Sequence, residues 1–343
     1  MSKIQQRKKD HIELTITGAT QYEKSSGFDN YEFNHNALPE VNFDEVSTEA
    51  TFLGRTFSFP LFISSMTGGY ADAEPINAII AEFCEDHNLP FGVGSQRAML
   101  EDESLTETFS IVRKKAPTAF ICSNIGGAQL IGGLPKDKVQ LLIESIEANA
   151  VIVHLNPLQE LMQPEGDRNF KGIIDGIQSL VENSSVPIIV KETGAGISKY
   201  TAKRLLNTGV SVLDVAGAGG TSWAKVENAR VNHLKENHLF NEWGISTTDC
   251  LLDITSLQWE RSFEVVASGG IRSSLDIAKA ICLGASFSAT AQPVIQAINK
   301  NGYKGLDEVF LAWKNSLKIA LTLLGCTSPD QLNKSHLRIK TDL

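Results

Sequence analysis

The sequence has few cysteines, and none of them lies in a Cys-x-x-Cys pair. The five cysteines among 343 residues are Cys84, Cys122, Cys250, Cys282 and Cys326. Scattered thiols in odd number indicate neither a zinc site nor a disulfide framework. We therefore expect a reducing compartment and predict a cytoplasmic protein.

Long apolar runs and clusters of basic residues are also missing. No run reaches the roughly 18 apolar residues that a membrane-spanning helix needs, and residues 1–10 are polar and carry no signal-peptide pattern. The net charge is −9 and the pI is about 5.4. Binding to nucleic acid is not expected, because it needs clustered Lys and Arg. An anionic ligand would have to be held by a local group of cations.

Apolar runs of strand length are frequent in this ordinary globular composition of 42% hydrophobic and 21% charged residues. Most of them are separated by amphipathic helical patterns, such as 75–83 and 138–146. The runs are continuous, as expected for strands that are buried on both faces. The eight runs are Phe59 to Ser64, Leu89 to Val93, Ala119 to Ser123, Val151 to Leu155, Val186 to Val190, Val210 to Val215, Phe263 to Ala267 and Ala285 to Thr290.

Eight strands that alternate with helices predict an α/β protein built as a single (β/α)8 barrel. No internal linker is rich enough in Pro, Gly and Ser to separate two domains. We expect an N-terminal arm over residues 1–55 that contributes ligand-binding residues, a barrel over 56–300, and a helical C-terminal extension over 301–343 packed on the barrel.

Polar and glycine-rich motifs follow seven of the predicted strands. The carboxyl ends of all strands of such a barrel open on one face, where active sites lie. A single glycine after a strand usually means only a tight turn, but seven motifs together predict one site. The motifs occupy residues 65–69, 92–97, 124–127, 154–160, 191–194, 217–222 and 268–272.

The fourth strand ends in four polar residues, His154, Asn156, Gln159 and Glu160. His154 and Asn156 share one face of an extended segment, and the chain turns at Pro157. This group suits a phosphorylated ligand together with a hard cation. The alternative interpretation is a strand end capped by solvated polar residues.

The motif at 269–272 combines two glycines with Arg272 in front of a helix that begins near Ser273. Bare backbone N–H groups, a helix N-terminus and a guanidinium predict a phosphate site, for which residues 290–293 would supply a second wall. Lys191 ends the fifth strand and would point its ammonium into the barrel mouth. A reduced flavin would supply the anion that such a cation needs, although a barrel carboxylate would serve as well.

Taken together, these motifs resemble the type 2 isopentenyl diphosphate isomerases, FMN-dependent enzymes that interconvert isopentenyl and dimethylallyl diphosphate. The resemblance covers most of the chain, through residues 7–12, 65–69, 94–97, 154–160, 191–198, 216–223 and 268–272. The chain departs from the family pattern at Lys9 and Asp10, where members often carry an acidic pair, and at Ala195, where larger residues occur. None of these positions is assigned to chemistry.

The resemblance implies a ligand set for FMN and one for the substrate. FMN would be bound by Ser65, Met66, Thr67, Ser95, Asn124, Lys191, Thr221, Gly270, Arg272, Ala291 and Gln292. The substrate would be bound by Arg7, Lys8, Ser95, Arg97, His154, Asn156 and Gln159, and Mg2+ would be held by Glu160. Gln159 and His154 are the implied catalytic residues, NADPH the reductant of FMN, and a homo-oligomer, tetramer or octamer, the implied assembly.

This ligand set agrees with the chemistry of a diphosphate. Such a group carries about three negative charges at neutral pH, so Arg forks, a Lys and a hard cation on a carboxylate are suitable partners. Without the resemblance, residues 7–9 would be interpreted as a solvated tail. An amide is a poor acid or base, so a flavin nitrogen is the better candidate for the difficult proton transfer, with Gln159 as a possible second carrier. The division of labour stays open.

Three alternatives remain. An FMN-dependent 2-hydroxy acid oxidase shares the barrel and the flavin phosphate site, but it takes its base from a His-Gly-Gly run after strand 6, where this chain has Gly217 to Gly220. A nucleotide dehydrogenase barrel needs a nucleophilic cysteine in a glycine-rich loop, and no cysteine here lies in one. A non-enzymatic flavin-binding barrel would leave His154, Gln159 and Glu160 without a purpose.

Overall fold

The computed structural model describes residues 3–70, 73–231, 235–260 and 262–340. Residues 1, 2 and 341–343, which belong to the predicted arm and extension, lie outside the described residues. Twelve strands occur within these ranges. They are β1 Tyr31–Phe33, β2 Ala50–Phe52, β3 Arg55–Phe57, β4 Leu61–Ile63, β5 Phe91–Gly92, β6 Ile121–Gly126, β7 Ala150–Leu155, β8 Ile188–Glu192, β9 Val212–Asp214, β10 Glu264–Ala267, β11 Phe287–Thr290 and β12 Leu337–Ile339.

Twelve α-helices occur in the described ranges. They are α1 Lys3–Ile16, α2 Ala73–Asp86, α3 Arg97–Glu101, α4 Glu107–Lys115, α5 Lys136–Glu144, α6 Pro157–Met162, α7 Ile173–Asn183, α8 Lys199–Leu206, α9 Trp223–Arg230, α10 Thr247–Thr255, α11 Ser274–Cys282 and α12 Gln292–Leu324. Two of them, α2 and α5, lie at the predicted amphipathic patterns 75–83 and 138–146. α12 is kinked at Asn301 and Gly302, which leave helical geometry. Within the described ranges, no helix combines the length and the apolarity needed to cross a membrane.

The predicted (β/α)8 barrel is confirmed. Strands β4 to β11 follow one another in chain order, all pairs are parallel, and β11 closes the barrel against β4. All six residues of β6 are buried, as a strand covered on both faces requires. The observed strands are in places shorter than the predicted runs: of the run 89–93, only the two residues Phe91 and Gly92 form β5.

Serine N-caps fix where several of the outer helices begin. The side chains of Ser198, Ser222, Ser246 and Ser273 each accept a hydrogen bond from the backbone N–H three residues on, at the starts of α8, α9, α10 and α11. Capping satisfies one of the N–H groups that a helix leaves unpaired at its start. Ser198, Ser222 and Ser273 follow directly on the loops after β8, β9 and β10, so these loops at the barrel mouth have fixed ends.

A hairpin of β2 and β3 packs into the barrel interior. Its Phe52 and Phe57 are fully buried with strand residues such as Phe287, whose ring stacks on Phe52 at 5.2 Å between centroids. The turn places Leu53 and Gly54 at positive φ, as a tight two-residue hairpin turn demands. The sequence analysis had predicted this segment only as part of an arm.

A two-stranded ribbon, separate from the barrel, joins the segment after the N-terminal helix to the C-terminal part of the described chain. β1 pairs antiparallel with β12, with Tyr31 opposite Ile339 and Phe33 opposite Leu337. The N-terminal helix α1 instead lies at the barrel mouth, where it contacts α9 and α12. The arm therefore reaches the carboxyl ends of the strands before it joins the barrel.

Candidate active site

Two cavities lie side by side at the barrel mouth. Each has a volume of about 170 Å³. They share a wall formed by strand ends and by helices α1 and α9, so a ligand in one cavity would contact a ligand in the other. The residues of this wall are His11, Ser65, Met66, Lys191, Thr193 and Trp223.

The first cavity, called here the glycine-lined cavity, is bounded by the strand ends 216–221, 268–272 and 289–293. Gly269 and Gly270 have φ values of +96° and +77°. A Cβ on Gly269 would lie 2.0 Å from the carbonyl oxygen of Gly217, so only glycine fits there. Eight of the predicted FMN residues line this cavity: Ser65, Met66, Lys191, Thr221, Gly270, Arg272, Ala291 and Gln292.

Residues of the N-terminal arm close this cavity from outside. The Arg272 guanidinium donates to Gln21 Oε1, and Gln21 Nε2 donates to Thr221 Oγ1 at 3.0 Å. Gln292 Nε2 donates to the carbonyl of Thr15 at 2.8 Å. Sequence reasoning missed Gln21, because it lies 200 positions from Thr221 and 251 from Arg272 and no local motif marks it.

Two buried hydroxyls show whether the cavities suit a ligand with a polar ring, such as FMN. Ser65 Oγ and Thr67 Oγ1 are buried and have no hydrogen-bond partner within the described residues. Buried polar atoms in native proteins are normally satisfied, so these hydroxyls indicate a ligand that supplies the partner. Thr67, Ser95 and Asn124, the remaining predicted FMN residues, line the second cavity next to this wall.

The loop after β8 is held by a buried carboxylate. Glu192 Oε2 accepts the backbone N–H groups of Thr193 at 2.7 Å and Gly194 at 2.6 Å, and those of the next two residues. Lys191 Nζ donates to the carbonyl of Glu192 at 2.6 Å and lies at the shared wall. The loop therefore keeps a cation fixed between the two cavities.

The second cavity, called here the charged cavity, collects all the residues predicted for substrate and metal. They are Arg7, Lys8, Ser95, Arg97, His154, Asn156, Gln159 and Glu160. Three of them come from helix α6 and the residue before it. Pro157 occupies the first turn of α6, which suits its fixed φ. Asn156 Nδ2 donates to Glu160 Oε1 at 2.9 Å and to Gln159 Oε1 at 3.2 Å, so the three side chains form one unit.

His154 is neutral in this cavity. Burial, followed by the charges of Lys191 and Lys8, lowers its pKa to about 3. Its Nδ1 lies 2.8 Å from Asn124 Oδ1, an acceptor, which assigns the proton to Nδ1. Nε2 is then free to accept a proton, so an anion that binds against it would raise the pKa of His154 and favour proton uptake.

Lys8 brings the arm into the charged cavity. Its Nζ donates to the carbonyl oxygen of Gly68, and to that of Ser95 at 3.3 Å. Burial and the nearby charge of Arg7 lower the pKa of Lys8 to about 8. The ammonium is therefore charged at neutral pH and loses its charge under mildly alkaline conditions.

A buried carboxylate on α9 connects the arm to the fourth strand end. Glu227 Oε1 lies 2.8 Å from His11 Nε2 and accepts from Gln159 Nε2 at 3.3 Å. Burial alone would raise the pKa of Glu227, but hydrogen bonds and charges from His11 and Arg230 hold it below its ordinary value. The ring of His11 packs edge-on against Trp223 at 5.0 Å. Sequence reasoning missed Glu227 and gave no role to Trp223, although α9 begins at Trp223, the last residue of the 216–223 motif.

A short loop after α6, residues 163–167, brings two further carboxylates to the charged cavity. Asp167 Oδ2 accepts from Arg97 Nη1 at 3.3 Å and from Gln129 Nε2 at 3.1 Å. Glu165 Oε1 accepts from Arg230 Nη2 at 2.8 Å and lies 4.0 Å from Arg7 Nη1. Neither acid was predicted. Their position a few residues beyond Glu160 could have indicated that they lie near the same strand end.

The charged cavity fits a metal ion only jointly with a ligand. In the part of the chain that the structure describes, no group of three or more His, Cys, Asp or Glu side chains could hold a metal. Mg2+ commonly binds through one or two carboxylates plus substrate phosphates and water. Glu160 fits that role, because its two oxygens already face the cavity and are oriented by Asn156 Nδ2 and the backbone N–H of Asp167.

The class of protein follows from the fold and the glycine-lined cavity. Residues 8–114 and 150–339 match the family model for FMN-dependent dehydrogenases. The structure superposes on flavocytochrome b2 with a TM-score of 0.69 at 18% identity, covering 96% of this chain and 82% of that one. It superposes on an active chimera of (S)-mandelate dehydrogenase with a TM-score of 0.68 at 16% identity, covering 97% and 99%. The fold is therefore that of an FMN-binding barrel.

The particular family follows from closer relatives. The isopentenyl-diphosphate delta-isomerase of Chlorobium limicola is 44% identical over 348 residues, 98% of this chain and 96% of that protein. The isopentenyl-diphosphate delta-isomerase of Rickettsia bellii is 40% identical over 336 residues, 97% of each. This chain belongs to the isopentenyl-diphosphate delta-isomerases of the FMN-dependent type, which confirms the family that the sequence motifs predicted.

Proposed function

We propose that this protein interconverts isopentenyl diphosphate and dimethylallyl diphosphate, with FMN in the glycine-lined cavity and the diphosphate in the charged cavity. The observation that carries the proposal is the shared wall of the two cavities. A flat cofactor along Met66 and Lys191 would present one face to a short isoprene tail. The tail would reach that face while the diphosphate stayed on the cations beyond it.

The residues of each cavity support this division. Gly270, Arg272, Ala291 and Gln292 would hold the FMN phosphate, since close-packed glycines and a guanidinium bind phosphate well. Ser65 and Thr67 would hydrogen-bond to the ring. The diphosphate would be bound by Arg7, Lys8, Ser95, Arg97 and His154, with Mg2+ on Glu160.

The reaction moves a double bond by one carbon, so a proton is added at one carbon and another is removed two carbons away. Reduced FMN, when bound, supplies acid–base chemistry that an amide cannot supply. Gln159 is held by Asn156 and by Glu227, which fixes its amide beside the shared wall. His154 takes up a proton against the diphosphate, and Trp223 and His11 exclude water from above. We propose Gln159 and His154 as the catalytic residues of the chain.

A 2-hydroxy acid oxidase is the second candidate, because the solved structures that share the fold include flavocytochrome b2 and (S)-mandelate dehydrogenase. The decisive experiment is anaerobic incubation of the FMN-loaded protein with isopentenyl diphosphate, Mg2+ and dithionite, followed by NMR detection of dimethylallyl diphosphate. Lactate and glycolate serve as the comparison. Product formation with the diphosphate supports the isomerase, whereas bleaching of the flavin by either acid would support the oxidase.

The lowered pKa of Lys8 makes catalytic efficiency depend on pH. Because kcat/KM reports the free enzyme, it should fall as pH rises through about 8, where the ammonium in the empty site loses its charge. The fall should approach about tenfold per pH unit if the charge is essential. Steady-state kinetics between pH 6 and 10 measure it. The Lys8→Arg variant, which keeps its charge, should show no such fall, and a wild-type profile that is flat to pH 10 would contradict the prediction.

Arg272→Ala should weaken FMN binding far more than substrate binding. The guanidinium lies at the predicted phosphate site, and a charge-assisted hydrogen bond is worth about 1.5–3 kcal/mol, which is a roughly 10- to 100-fold rise in Kd. Fluorescence titration of apoprotein with FMN measures this. Arg338→Ala, which removes a surface guanidinium paired with Glu32, is the control. An equal loss in both variants would count against the assignment of Arg272.

The proposal also includes the reductant of FMN, the cellular location and the assembly of the protein. We propose NADPH as the reductant of FMN, which anaerobic bleaching of the flavin absorbance by NADPH would test. Five free cysteines support a reducing, cytoplasmic location. Exposed apolar side chains, such as Trp259 at 94% and Leu239 at 80% exposure, support a homo-oligomer, tetramer or octamer.

The division into an arm (1–55), a barrel (56–300) and an extension (301–343) is part of the same proposal, supported by α1 at the barrel mouth.

A further inference from the structure

The charged cavity is less positive than a diphosphate site would be expected to be. Its lining includes the cations Arg7, Lys8, Arg97 and Lys191, and the carboxylates Glu101 and Glu160. The loop 163–167 adds one carboxylate against Arg7 and one against Arg97. Four cations thus face four carboxylates, two of them in the lining and two on the loop, and the neutral imidazole adds no charge. A trianionic ligand would enter a cavity whose positive charge is already balanced.

Asp167 contacts both a cation and the predicted metal ligand of the charged cavity. Its carboxylate accepts from Arg97 and Gln129, both of which line the cavity. Its backbone N–H donates to Glu160 Oε2 at 2.8 Å. Asp167 therefore lies between the arginine that would grip the diphosphate and the carboxylate that would hold the metal. Glu101, the other acid on Arg97, is 50% exposed and better screened by water.

The position of Asp167 is fixed by the glycine before it. A Cβ at Gly166 would lie 2.0 Å from the carbonyl oxygen of Glu160, so the loop runs directly against the backbone of α6. Gly166 N–H also donates to the carbonyl of Gln163 at 3.0 Å, and Gln163 is buried. The loop has no room to move toward α6, which keeps the Asp167 carboxylate against Arg97 and Gln129 in the cavity wall.

We propose that Asp167 is a specificity-determining residue that makes the charged cavity accept a diphosphate bound to a divalent cation and reject a metal-free diphosphate. This inference rests on the proposed function. A free diphosphate that approaches Arg97 meets the carboxylate of Asp167 beside it. A divalent cation on Glu160 removes that repulsion, because it adds two positive charges between the carboxylates and the diphosphate oxygens.

The test uses FMN-loaded, oxidised protein and inorganic pyrophosphate, so that no turnover occurs. Isothermal titration calorimetry gives the Kd with excess Mg2+ and again with EDTA. The Asp167→Asn variant keeps the size, the backbone N–H and an acceptor oxygen, and removes only the charge. We expect metal-free pyrophosphate to bind it about tenfold more tightly than it binds the wild type, while the Kd with Mg2+ changes by less than about threefold.

Two further variants separate charge from local structure. Asp167→Ala removes both the charge and its hydrogen bonds, and its metal-free Kd should also fall. Asp175→Asn removes a similar charge from an exposed position on α7 and should leave the ratio of the two Kd values unchanged. Thermal unfolding of each variant shows whether the barrel is intact.

The outcomes distinguish this inference from the proposed function. If the wild type binds pyrophosphate with Mg2+ but Asp167→Asn keeps the wild-type ratio, the inference is wrong and the proposed function stands. If Asp167→Asn weakens binding equally with and without Mg2+, Asp167 acts only as a structural contact, and the inference is again wrong. If the wild type binds no pyrophosphate with Mg2+, the diphosphate site itself is wrong and both fall.

Discussion

Replacing Glu160 by Gln is expected to lower kcat/KM for isopentenyl diphosphate at least about 100-fold at ordinary Mg2+ concentration. The substitution keeps the shape of the side chain and removes the charge of the metal's only predicted protein ligand. Metal-ion stabilisation is worth several kcal/mol, and each 1.36 kcal/mol is about a factor of ten in rate. A titration of Mg2+ should recover part of the activity only at much higher concentration.

Binding of FMN should be unaffected by Glu160→Gln, because Glu160 lines the charged cavity and not the glycine-lined one. Glu182→Gln, on the exposed face of α7, is the matched control and should keep full activity. If Glu160→Gln turned over normally at ordinary Mg2+, the metal assignment would be wrong and Glu160 would be a solvated residue at the start of a helix.

Removal of residues 1–10 is expected to raise KM for the diphosphate and to lower turnover, with a combined loss in kcat/KM of about 100-fold or more. Arg7 and Lys8 both line the charged cavity. Each lost charge-assisted contact is worth about 1.5–3 kcal/mol. Steady-state kinetics of the truncated and full-length proteins measure the loss. We further expect that a bound ligand stabilises α1 in its position over the cavities, where it serves as a lid.

The fold, its stability and its FMN affinity should be nearly unchanged by this truncation. Gln21, which contacts Arg272, lies beyond the deleted segment. No described residue of the deleted segment belongs to the hydrophobic core of the barrel. The double variant Arg7→Ala with Lys8→Ala should reproduce most of the kinetic loss without shortening the chain. Unchanged kinetics in the truncated protein would show the arm to be the solvated tail that its composition alone suggests.

The barrel was predictable because its strands are buried on both faces and are therefore continuous in apolar character. The site was predictable as far as it lies on strand ends, since the parallel barrel brings all of them together. Both sets of predicted ligands, from Ser65 to Gln292 and from Arg7 to Glu160, fall in two adjoining cavities. The roles assigned to them remain predictions.

The parts that sequence reasoning missed depend on pairings between distant residues. Glu227 is part of the site through its contact with His11, which lies 216 positions away in the sequence. Phe52 and Phe57 enter the barrel interior only because a two-residue turn folds their segment back. Asp167 has a partner, Arg97, at a separation of 70 residues. None of these contacts leaves a periodic pattern, so only three-dimensional geometry reveals them.

The ribbon of β1 and β12 has a consequence for the synthesis of the chain. It pairs residues 31–33 with 337–339, so it forms only after residue 339 has left the ribosome. The segment that closes the glycine-lined cavity, with Gln21 against Arg272, leads directly into β1. Pairings of such long sequence separation are slow to form. The ribbon can therefore tether the segment that follows Gln21 only after all eight barrel strands have been synthesised, so this tether is a late step in the folding of the chain.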